Sequence, residues 1–121
     1  MNQVLIVDDS QPIRERLAAL LSESGQIRIV GEAGNVQEGW QAVQFFRPDT
    51  VILDIRLPGS TGIALLKKIK EHYPRVTVIM LTNFDDAQYR RQCRRLGADH
   101  FLNKTLEFEK IVDTITGCPA A

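Results

Sequence analysis

Hydrophobic positions alternate along the chain between two patterns. Four continuous apolar or β-branched runs stand apart from one another, and a shorter fifth lies near His100–Leu102. Each run is too short for a stable helix and too continuous for a strand with one face in water. The pattern therefore predicts five buried strands, and the four longer runs are Val4–Val7, Ile27–Val30, Thr50–Leu53 and Val76–Leu81.

Between these runs, apolar residues recur with the three- to four-residue spacing of a helix. In four of the five stretches, a Gly or Pro after the last apolar position marks where the helix ends. The five apolar stripes consist of Ile13, Leu17, Leu20 and Leu21; Val36, Gly39, Trp40 and Val43; Ile63, Leu66 and Ile69; Tyr89, Cys93 and Leu96; and Phe108, Ile111, Val112 and Ile115.

Five repeats of strand and helix are typical of a parallel sheet joined by right-handed crossovers. We therefore predict an α/β fold with a doubly wound, five-stranded parallel sheet and helices on both faces. The flavodoxin-like strand order 2-1-3-4-5 is one of the two common orders for such sheets. With 121 residues and no internal repeat or linker, the chain fits one domain, 1–121.

Composition and charge narrow the possible partners. Lys+Arg and Asp+Glu both total 15, so the net charge is zero and no overall field favours direct binding to nucleic acid or membrane. No apolar run reaches the length of a membrane span, and no signal-peptide pattern opens the chain. The two cysteines, Cys93 and Cys118, are far apart and fit free thiols in a reducing compartment. We expect a cytoplasmic protein.

The residues that follow the predicted strands carry the chemistry. In open α/β sheets, ligands bind at the carboxyl ends of the strands, where the strand order reverses. Asp8 and Asp9 follow the first strand, Asp54 follows the third, Thr82 follows the fourth, and Lys104 follows the fifth. Adjacent carboxylates repel each other, and a hard divalent cation among them makes their proximity tolerable. The sequence thus predicts a cation site at this edge.

The acidic pair also has an ordinary structural interpretation. Asp8 and Asp9 alone fit a helix N-cap and a first-turn acid beside Ser10. The presence of Asp54 and Lys104 at the ends of other strands favours a site instead. A second group of charges, on the fourth helix, fits a solvated face, with a docking surface for an acidic partner as the alternative. It comprises Arg90, Arg91, Arg94 and Arg95.

Four segments together resemble response-regulator receiver domains, the phosphoacceptor modules of two-component signalling. They are the acidic pair in VDD, the segment VILDIRLPGSTG, the hydroxyl in VIMLTN and the lysine in GADHFLNK. Any one of them is a weak signal, whereas all four in order, each at a strand end, are specific. The resemblance covers about Val4 to Ile115.

The resemblance implies a metal site for Mg²⁺ or Mn²⁺. Asp9 and Asp54 would bind the ion directly, together with the backbone carbonyl of Arg56, and Asp8 would hold it through a water molecule. Mg²⁺ suits such a site because it prefers octahedral oxygen ligands and keeps several waters.

The resemblance also implies how a phosphoryl group is bound. Asp54 would be the acceptor, Lys104 would pair with the phosphoryl oxygens, and Thr82 would hydrogen-bond the group. Phe101 would occupy the aromatic switch position. Phosphoryl transfer itself needs little more than an in-line nucleophile and neutralisation of the transferred charge.

The implied function is a phosphorylation-activated signalling switch. The phosphoryl group would come from a histidine kinase or a histidine phosphotransfer protein, and the protein-interaction surface would then change. We expect no enzyme activity beyond self-phosphorylation and self-dephosphorylation. A homodimer is possible through the face built from the fourth helix, the fifth strand and the fifth helix.

Two alternatives remain open. The segment VGEAGN and the absence of proline after Lys104 look like receivers that precede helix-turn-helix domains, so the chain fits the receiver portion of a DNA-binding transcriptional regulator whose output domain is not in this sequence. The second alternative is an aspartyl-phosphate phosphatase of the haloacid-dehalogenase type. That class requires Asp-x-Asp at the end of the first strand, and here Ser10 and Gln11 follow the acidic pair.

Two positions depart from the family pattern. Receivers usually carry Ala or Gly after the threonine, whereas this chain has Asn83, whose bulk is expected to narrow access to the phosphoryl group. Many receivers have a cis proline after the lysine, whereas this chain has Thr105, for which we expect a trans peptide bond because a non-proline cis bond costs about 2.5–4 kcal/mol.

Overall fold

Parallel strands form the centre of the computed structural model, which describes residues 1–84 and 86–117. Five of its strands make one sheet in the order β2-β1-β3-β6-β7, and all four neighbouring pairs are parallel. Counted along the chain, this order is 2-1-3-4-5, so the predicted topology is confirmed. The strands are β1 (Asn2–Val7), β2 (Ile27–Ala33), β3 (Thr50–Leu53), β4 (Arg56–Leu57), β5 (Ser60–Thr61), β6 (Thr77–Thr82) and β7 (His100–Asn103), of which β4 and β5 form a separate antiparallel ribbon.

Helices cover both faces of the sheet, as predicted. One hydrophobic cluster joins the sheet to the first and last helices, and the other joins it to the three helices between them. None of the described helices is long and apolar enough to cross a membrane. The helices are α1 (Gln11–Ser22), α2 (Val36–Phe46), α3 (Gly62–His72), α4 (Ala87–Arg95) and α5 (Ile111–Thr116), the last preceded by a 3-10 turn at Phe108–Lys110.

The continuous apolar runs arise because successive side chains of a strand enter opposite clusters. In β1, Leu5 and Val7 enter the cluster of α2, α3 and α4, while Val4 and Ile6 enter that of α1 and α5. All four side chains are fully buried. A strand between two helical layers therefore has no face that tolerates polar residues.

Side-chain caps fix where the helices begin. Ser10 caps α1 by accepting a hydrogen bond from the Ile13 N–H, with Oγ 3.3 Å from the nitrogen. Asn35, Thr61 and Asp86 cap α2, α3 and α4 in the same way. Ser10 is therefore the N-cap, and the first turn of α1 holds no acidic residue. The ordinary structural interpretation of Asp8 and Asp9, as an N-cap and a first-turn acid, is wrong.

The ribbon and the start of α3 were not predicted from the sequence. The ribbon turns through Pro58 and Gly59, whose φ of +88° lies in the left-handed region that favours glycine. The helix then begins at Gly62, whose N–H donates to the Ile55 carbonyl at 2.6 Å. A Cβ on Gly62 would lie 1.7 Å from the carbonyl oxygen of Asp54. The chain therefore passes directly over the backbone of Asp54, and only glycine fits.

Three further sequence expectations concern the second strand, the cysteines and the peptide bond before Thr105. The second strand continues beyond the predicted Ile27–Val30 to Ala33, because Gly31 and Glu32 still pair with β1. Of the two cysteines, Cys93 is a buried free thiol, and Cys118 lies outside the described residues. Among the described residues no peptide bond is cis, so the bond before Thr105 is trans as expected.

Candidate functional site

Four neighbouring strands bring the predicted site residues to one edge of the sheet. Asp8 directly follows β1, Asp54 follows β3, Thr82 is the last residue of β6, and Lys104 follows β7. These strands are consecutive neighbours in the sheet and all run in the same direction. Their carboxyl ends therefore meet, as the sequence predicted.

Lys104 bridges two of the carboxylates. Its Nζ donates to Oδ2 of Asp54 at 2.6 Å and to Oδ2 of Asp8 at 2.7 Å. The side chain of Lys104 is only 11% exposed, that of Asp54 7% and that of Asp8 4%. Because water screens such a group poorly, charge-assisted hydrogen bonds are strong here.

Backbone N–H groups hold the other oxygen of each bridged carboxylate. Oδ1 of Asp54 accepts from the N–H of Ile55 at 2.7 Å, and Oδ1 of Asp8 accepts from the N–H of Ser10 at 2.8 Å. Both carboxylates are thus fixed in orientation by their own loops.

The third carboxylate completes an acidic cluster. Asp8, Asp9 and Asp54 each offer an oxygen ligand atom within 4.8 Å of the others, and Asp9 is exposed while the other two are buried. Oxygen donors from two buried carboxylates and one solvated carboxylate fit a hard cation that retains water ligands. The cluster can hold a metal ion.

The backbone carbonyl of Arg56 remains a predicted ligand. Arg56 lies in β4, two residues after Asp54. Its strand pairs with β5, and the guanidinium carbon of its side chain lies 4.4 Å from the centre of the Phe84 ring. Its neighbourhood is a groove of about 440 Å³ whose lining also includes Asp9.

Burial and charge pairing shift the pKa values of two site groups. Burial raises the pKa of Asp8 above its usual range, against the lowering effect of its hydrogen bonds with Lys104 and Ser10. Burial alone would lower the pKa of Lys104, but its hydrogen bonds to Asp54 and Asp8 together outweigh this and raise it. Lys104 is therefore charged at neutral pH, while negative charge on Asp8 is costly.

The hydroxyl oxygen of Thr82 is held by the loop that follows it. Thr82 is fully buried, and its Oγ1 accepts a hydrogen bond from the N–H of Phe84 at 3.2 Å. Its carbonyl accepts from the N–H of Lys104 at 2.9 Å. The backbone of Thr82 is thus hydrogen-bonded to that of Lys104.

The predicted switch aromatic lies away from the carboxylate cluster. Phe101 is half-buried in β7 and packs against the hydrophobic cluster of α2, α3 and α4. The guanidinium carbon of Arg90 lies 4.7 Å from the centre of its ring. The other three arginines of the basic stripe are exposed, as a solvated face would be; they are Arg91, Arg94 and Arg95.

Sequence reasoning missed two residues that shape the site. Nη1 of Arg14 donates to the carbonyl of Asp8 at 2.5 Å, and its Nε lies 3.2 Å from Oε1 of Glu32 at the end of β2. A single arginine on a helix gives no sequence signal for such a role. Gly62 supports the Asp54 backbone, and its place just before an apolar helical stripe was the available signal.

The family comparison agrees with this arrangement. Residues 4–116 match the response regulator receiver domain family. The chain belongs to this family. Its receiver fold is therefore shown, and the receiver family is distinct from the haloacid-dehalogenase phosphatases considered as an alternative.

Similar proteins come from several bacteria. An uncharacterized response regulatory protein of Vibrio cholerae is 38% identical over 95% of this chain and 47% of its own length. The transcriptional regulatory protein LnrK of Bacillus subtilis is 34% identical over 95% of this chain and 52% of its own length. The structure of a DNA-binding response regulator of the LuxR family from Staphylococcus aureus superposes with a TM-score of 0.90 at 25% identity, covering 98% of both chains.

The receiver chain spans about half the length of these two curated relatives. The part of each relative that this chain matches is the receiver domain.

Proposed function

We propose that this receiver domain is a phosphorylation-controlled signalling switch whose acceptor is Asp54. The observation that carries the proposal is the pair of hydrogen bonds from Lys104 Nζ to Asp54 and Asp8, 2.6 and 2.7 Å long, at the carboxyl edge of the sheet. They place a buried carboxylate beside a cation that can follow a phosphoryl group.

The transfer needs little from the chain beyond positioning and charge. An oxygen of Asp54 attacks the phosphorus of a phosphohistidine, a P–O bond forms, and the P–N bond breaks with its electron pair returning to the imidazole. The backbone bond from Ile55 keeps Asp54 Oδ1 in place, so Oδ2, which faces Lys104, is the oxygen that we assign as nucleophile. Lys104 then donates its hydrogen bond to the phosphoryl oxygens instead of to the carboxylate oxygen.

A divalent ion, Mg²⁺ or Mn²⁺, belongs to the proposal because three carboxylates lie close together and the hydrogen bonds of Lys104 reach Asp8 and Asp54. Asp9 and Asp54 would hold it directly with the carbonyl of Arg56, and Asp8 would do so through water. When bound, the ion would neutralise charge on the carboxylates and on the transferred group. The raised pKa of Asp8 shows that burial disfavours its ionised form, which a cation would relieve.

The proposed partner is a histidine kinase or a histidine phosphotransfer protein, because an aspartate acceptor needs a donor of higher transfer potential. Relatives named as transcriptional regulators favour a downstream role in transcription, with this chain as the receiver portion of a longer DNA-binding protein. The other form of the proposal is a single receiver domain, 1–121, acting on a protein partner. The cytoplasm is the compartment that suits both forms.

The test is labelling by a small phosphodonor such as phosphoramidate in Mg²⁺, followed by intact-protein mass. We expect wild type to gain one phosphoryl group and Asp54→Asn to gain none. Asp113→Asn, which removes a carboxylate on α5, serves as the matched control and should label like wild type. Labelling of the Asp54→Asn protein at the wild-type rate would show that the acceptor is another residue.

The Lys104→Ala variant separates acceptance of the phosphoryl group from the structural response to it. We expect this variant still to label, because Asp54 and the acidic cluster remain. It should not show the change in backbone amide spectrum that follows phosphorylation of wild type, because the cation that reads the phosphoryl oxygens is missing. A full wild-type spectral change in Lys104→Ala would assign the response to other residues.

A further inference from the structure

The two positions that depart from the family pattern touch each other. Asn83 directly follows Thr82, and Thr105 directly follows Lys104. The hydroxyl of Thr105 donates to Oδ1 of Asn83 at 2.9 Å. A side-chain hydrogen bond thus links the loop after β6 to the loop after β7, beside the candidate phosphorylation site.

Both ends of this bond are held by their own surroundings. The N–H groups of Thr105 and Leu106 donate to Oδ1 of Asn103 at 2.9 and 2.8 Å, so the backbone of the Thr105 turn is fixed. On the other side, the carbonyl of Thr82 accepts from the N–H of Lys104 at 2.9 Å. Little conformational freedom is left to lose when the bond forms, which makes an exposed hydrogen bond more effective.

The linked segment also holds the Thr82 hydroxyl, which in the proposed function hydrogen-bonds the phosphoryl group. In the structure, Oγ1 of Thr82 accepts from the N–H of Phe84 at 3.2 Å. The hydroxyl proton of Thr82 remains available to donate, so a hydrogen bond to a phosphoryl group on Asp54 depends on where the loop after Thr82 holds this oxygen. Asn83 lies between Thr82 and Phe84, so any tether on Asn83 opposes a rearrangement of that segment.

We propose that Thr105 is a positioning residue that holds the loop after Thr82 in its resting arrangement through Asn83. The inference rests on the proposed function, because the motion it opposes is the response of Thr82 to phosphorylation of Asp54. Thr105 touches neither the acceptor nor the metal cluster in the structure. It sets how readily the loop rearranges.

The test uses one variant that keeps the shape of the side chain and one that keeps its hydroxyl. Thr105→Val removes the hydroxyl and keeps the shape, and Thr105→Ser keeps the hydroxyl. In protein without phosphodonor, we expect the Phe84 amide proton to exchange with solvent about two- to ten-fold faster in Thr105→Val, the factor that corresponds to one ordinary hydrogen bond. Thr105→Ser should restore the wild-type rate.

Labelling by phosphoramidate supplies the second measurement. Thr105→Val should label faster than wild type by a similar factor, although the bulk of Asn83 is unchanged. Asn83→Ala should also label faster, and the double variant should gain less than the product of the two single effects, because both changes remove the same bond. If Asn83→Ala labels faster while Thr105→Val labels and exchanges like wild type, steric access alone is at work and the proposal is wrong.

Unchanged exchange and labelling in both single variants would equally overturn the inference. Its failure is distinguishable from failure of the proposed function. The amide measurement needs no phosphorylation, and labelling of Asp54→Asn tests the acceptor separately.

Discussion

The two oxygens of the Asp54 carboxylate have different partners. Oδ1 of Asp54 accepts from the backbone and Oδ2 from Lys104, so one oxygen is anchored by the chain and the other by a side-chain cation. The same division occurs in Asp8. In the proposed function, the Asp54 oxygen that faces Lys104 is the one that attacks the phosphorus.

Gly62 is the residue on which the position of Asp54 most directly depends. We expect Gly62→Ala to destabilise the fold by about 1–3 kcal/mol, the usual cost of forcing extra atoms into a packed site, because its Cβ would lie 1.7 Å from the Asp54 carbonyl oxygen. Urea unfolding measures this difference, and phosphoramidate labelling of the folded variant should be slower than in wild type.

A matched control is available at Gly25. A Cβ there would meet nothing within 4 Å, so Gly25→Ala should leave both stability and labelling close to wild type. Equal unfolding midpoints for the Gly62 and Gly25 variants would mean that the Asp54 loop adapts to the added methyl group.

Helix α4 has little buried apolar surface. Its single buried residue is Cys93, and four of its nine residues are arginines. Arg90 lies over the ring of Phe101 in β7 and within 3.7 Å of Glu107. These polar contacts are easier to rearrange than a packed core, which suits a helix whose face is expected to change on activation.

Cys93 reports on the packing of α4. Burial raises the pKa of its thiol from 9.0 to about 11, so at pH 8 the thiolate is roughly a hundred-fold scarcer than in the unfolded chain. In a Cys118→Ser background, we expect native protein to react with a thiol reagent at least that much more slowly than protein in urea. Comparable rates in the two states would show that α4 opens readily.

The same thiol makes stability depend on alkaline pH. The native state keeps its proton to higher pH than the unfolded state, so the contribution of the thiol is complete below pH 9 and is lost as pH rises towards 11. The unfolding free energy of the Cys118→Ser protein should fall over this interval more steeply than that of a Cys93→Ala, Cys118→Ser double variant.

For the whole molecule, the sheet order matters because it places three carboxylates together. Asp8, Asp9 and Asp54 come from loops that follow neighbouring strands, and the repulsion between their carboxylates destabilises the folded state. A divalent ion that binds only the folded arrangement should stabilise it by mass action. At ten times its dissociation constant, the gain is about 1.4 kcal/mol.

We therefore expect millimolar Mg²⁺ to raise the melting temperature of wild-type protein. Asp9→Ala should remove most of that increase and leave the fold intact, because Asp9 is exposed and lies outside both hydrophobic clusters. Asp113→Asn is again the control. A melting temperature that does not change with Mg²⁺ in wild type would contradict the metal site.

Association is a second property of the whole molecule. We expect a monomer before phosphorylation and a shift towards a dimer or partner complex afterwards, through the face of α4, β7 and α5 where Phe101 and the arginine stripe lie. Sedimentation of unphosphorylated and phosphoramidate-treated protein measures the shift. The same mass in both states, with no partner recruited, would leave this face without an assigned role.

The sequence by itself determined the elements and the chemistry of this protein. Continuous apolar runs mark β1, β3 and β6, whose side chains are mostly buried because helices cover both faces of these central strands. Polar residues after the strand runs mark the edge where ligands bind. Asp8, Asp54, Thr82 and Lys104 could therefore be identified as candidates from their positions in the chain. The positions of the strands, and of the residues that follow them, can be read from the local pattern of each segment.

The tertiary structure decided what depends on contacts between distant segments. It gave the N-cap of α1 to Ser10, passed Gly62 over the backbone of Asp54, and placed Arg14 on the carbonyl of Asp8. It also joined Asn83 to Thr105, 22 residues away. Such contacts follow from how loops cross at the end of the sheet, and no local periodicity or spacing encodes that crossing.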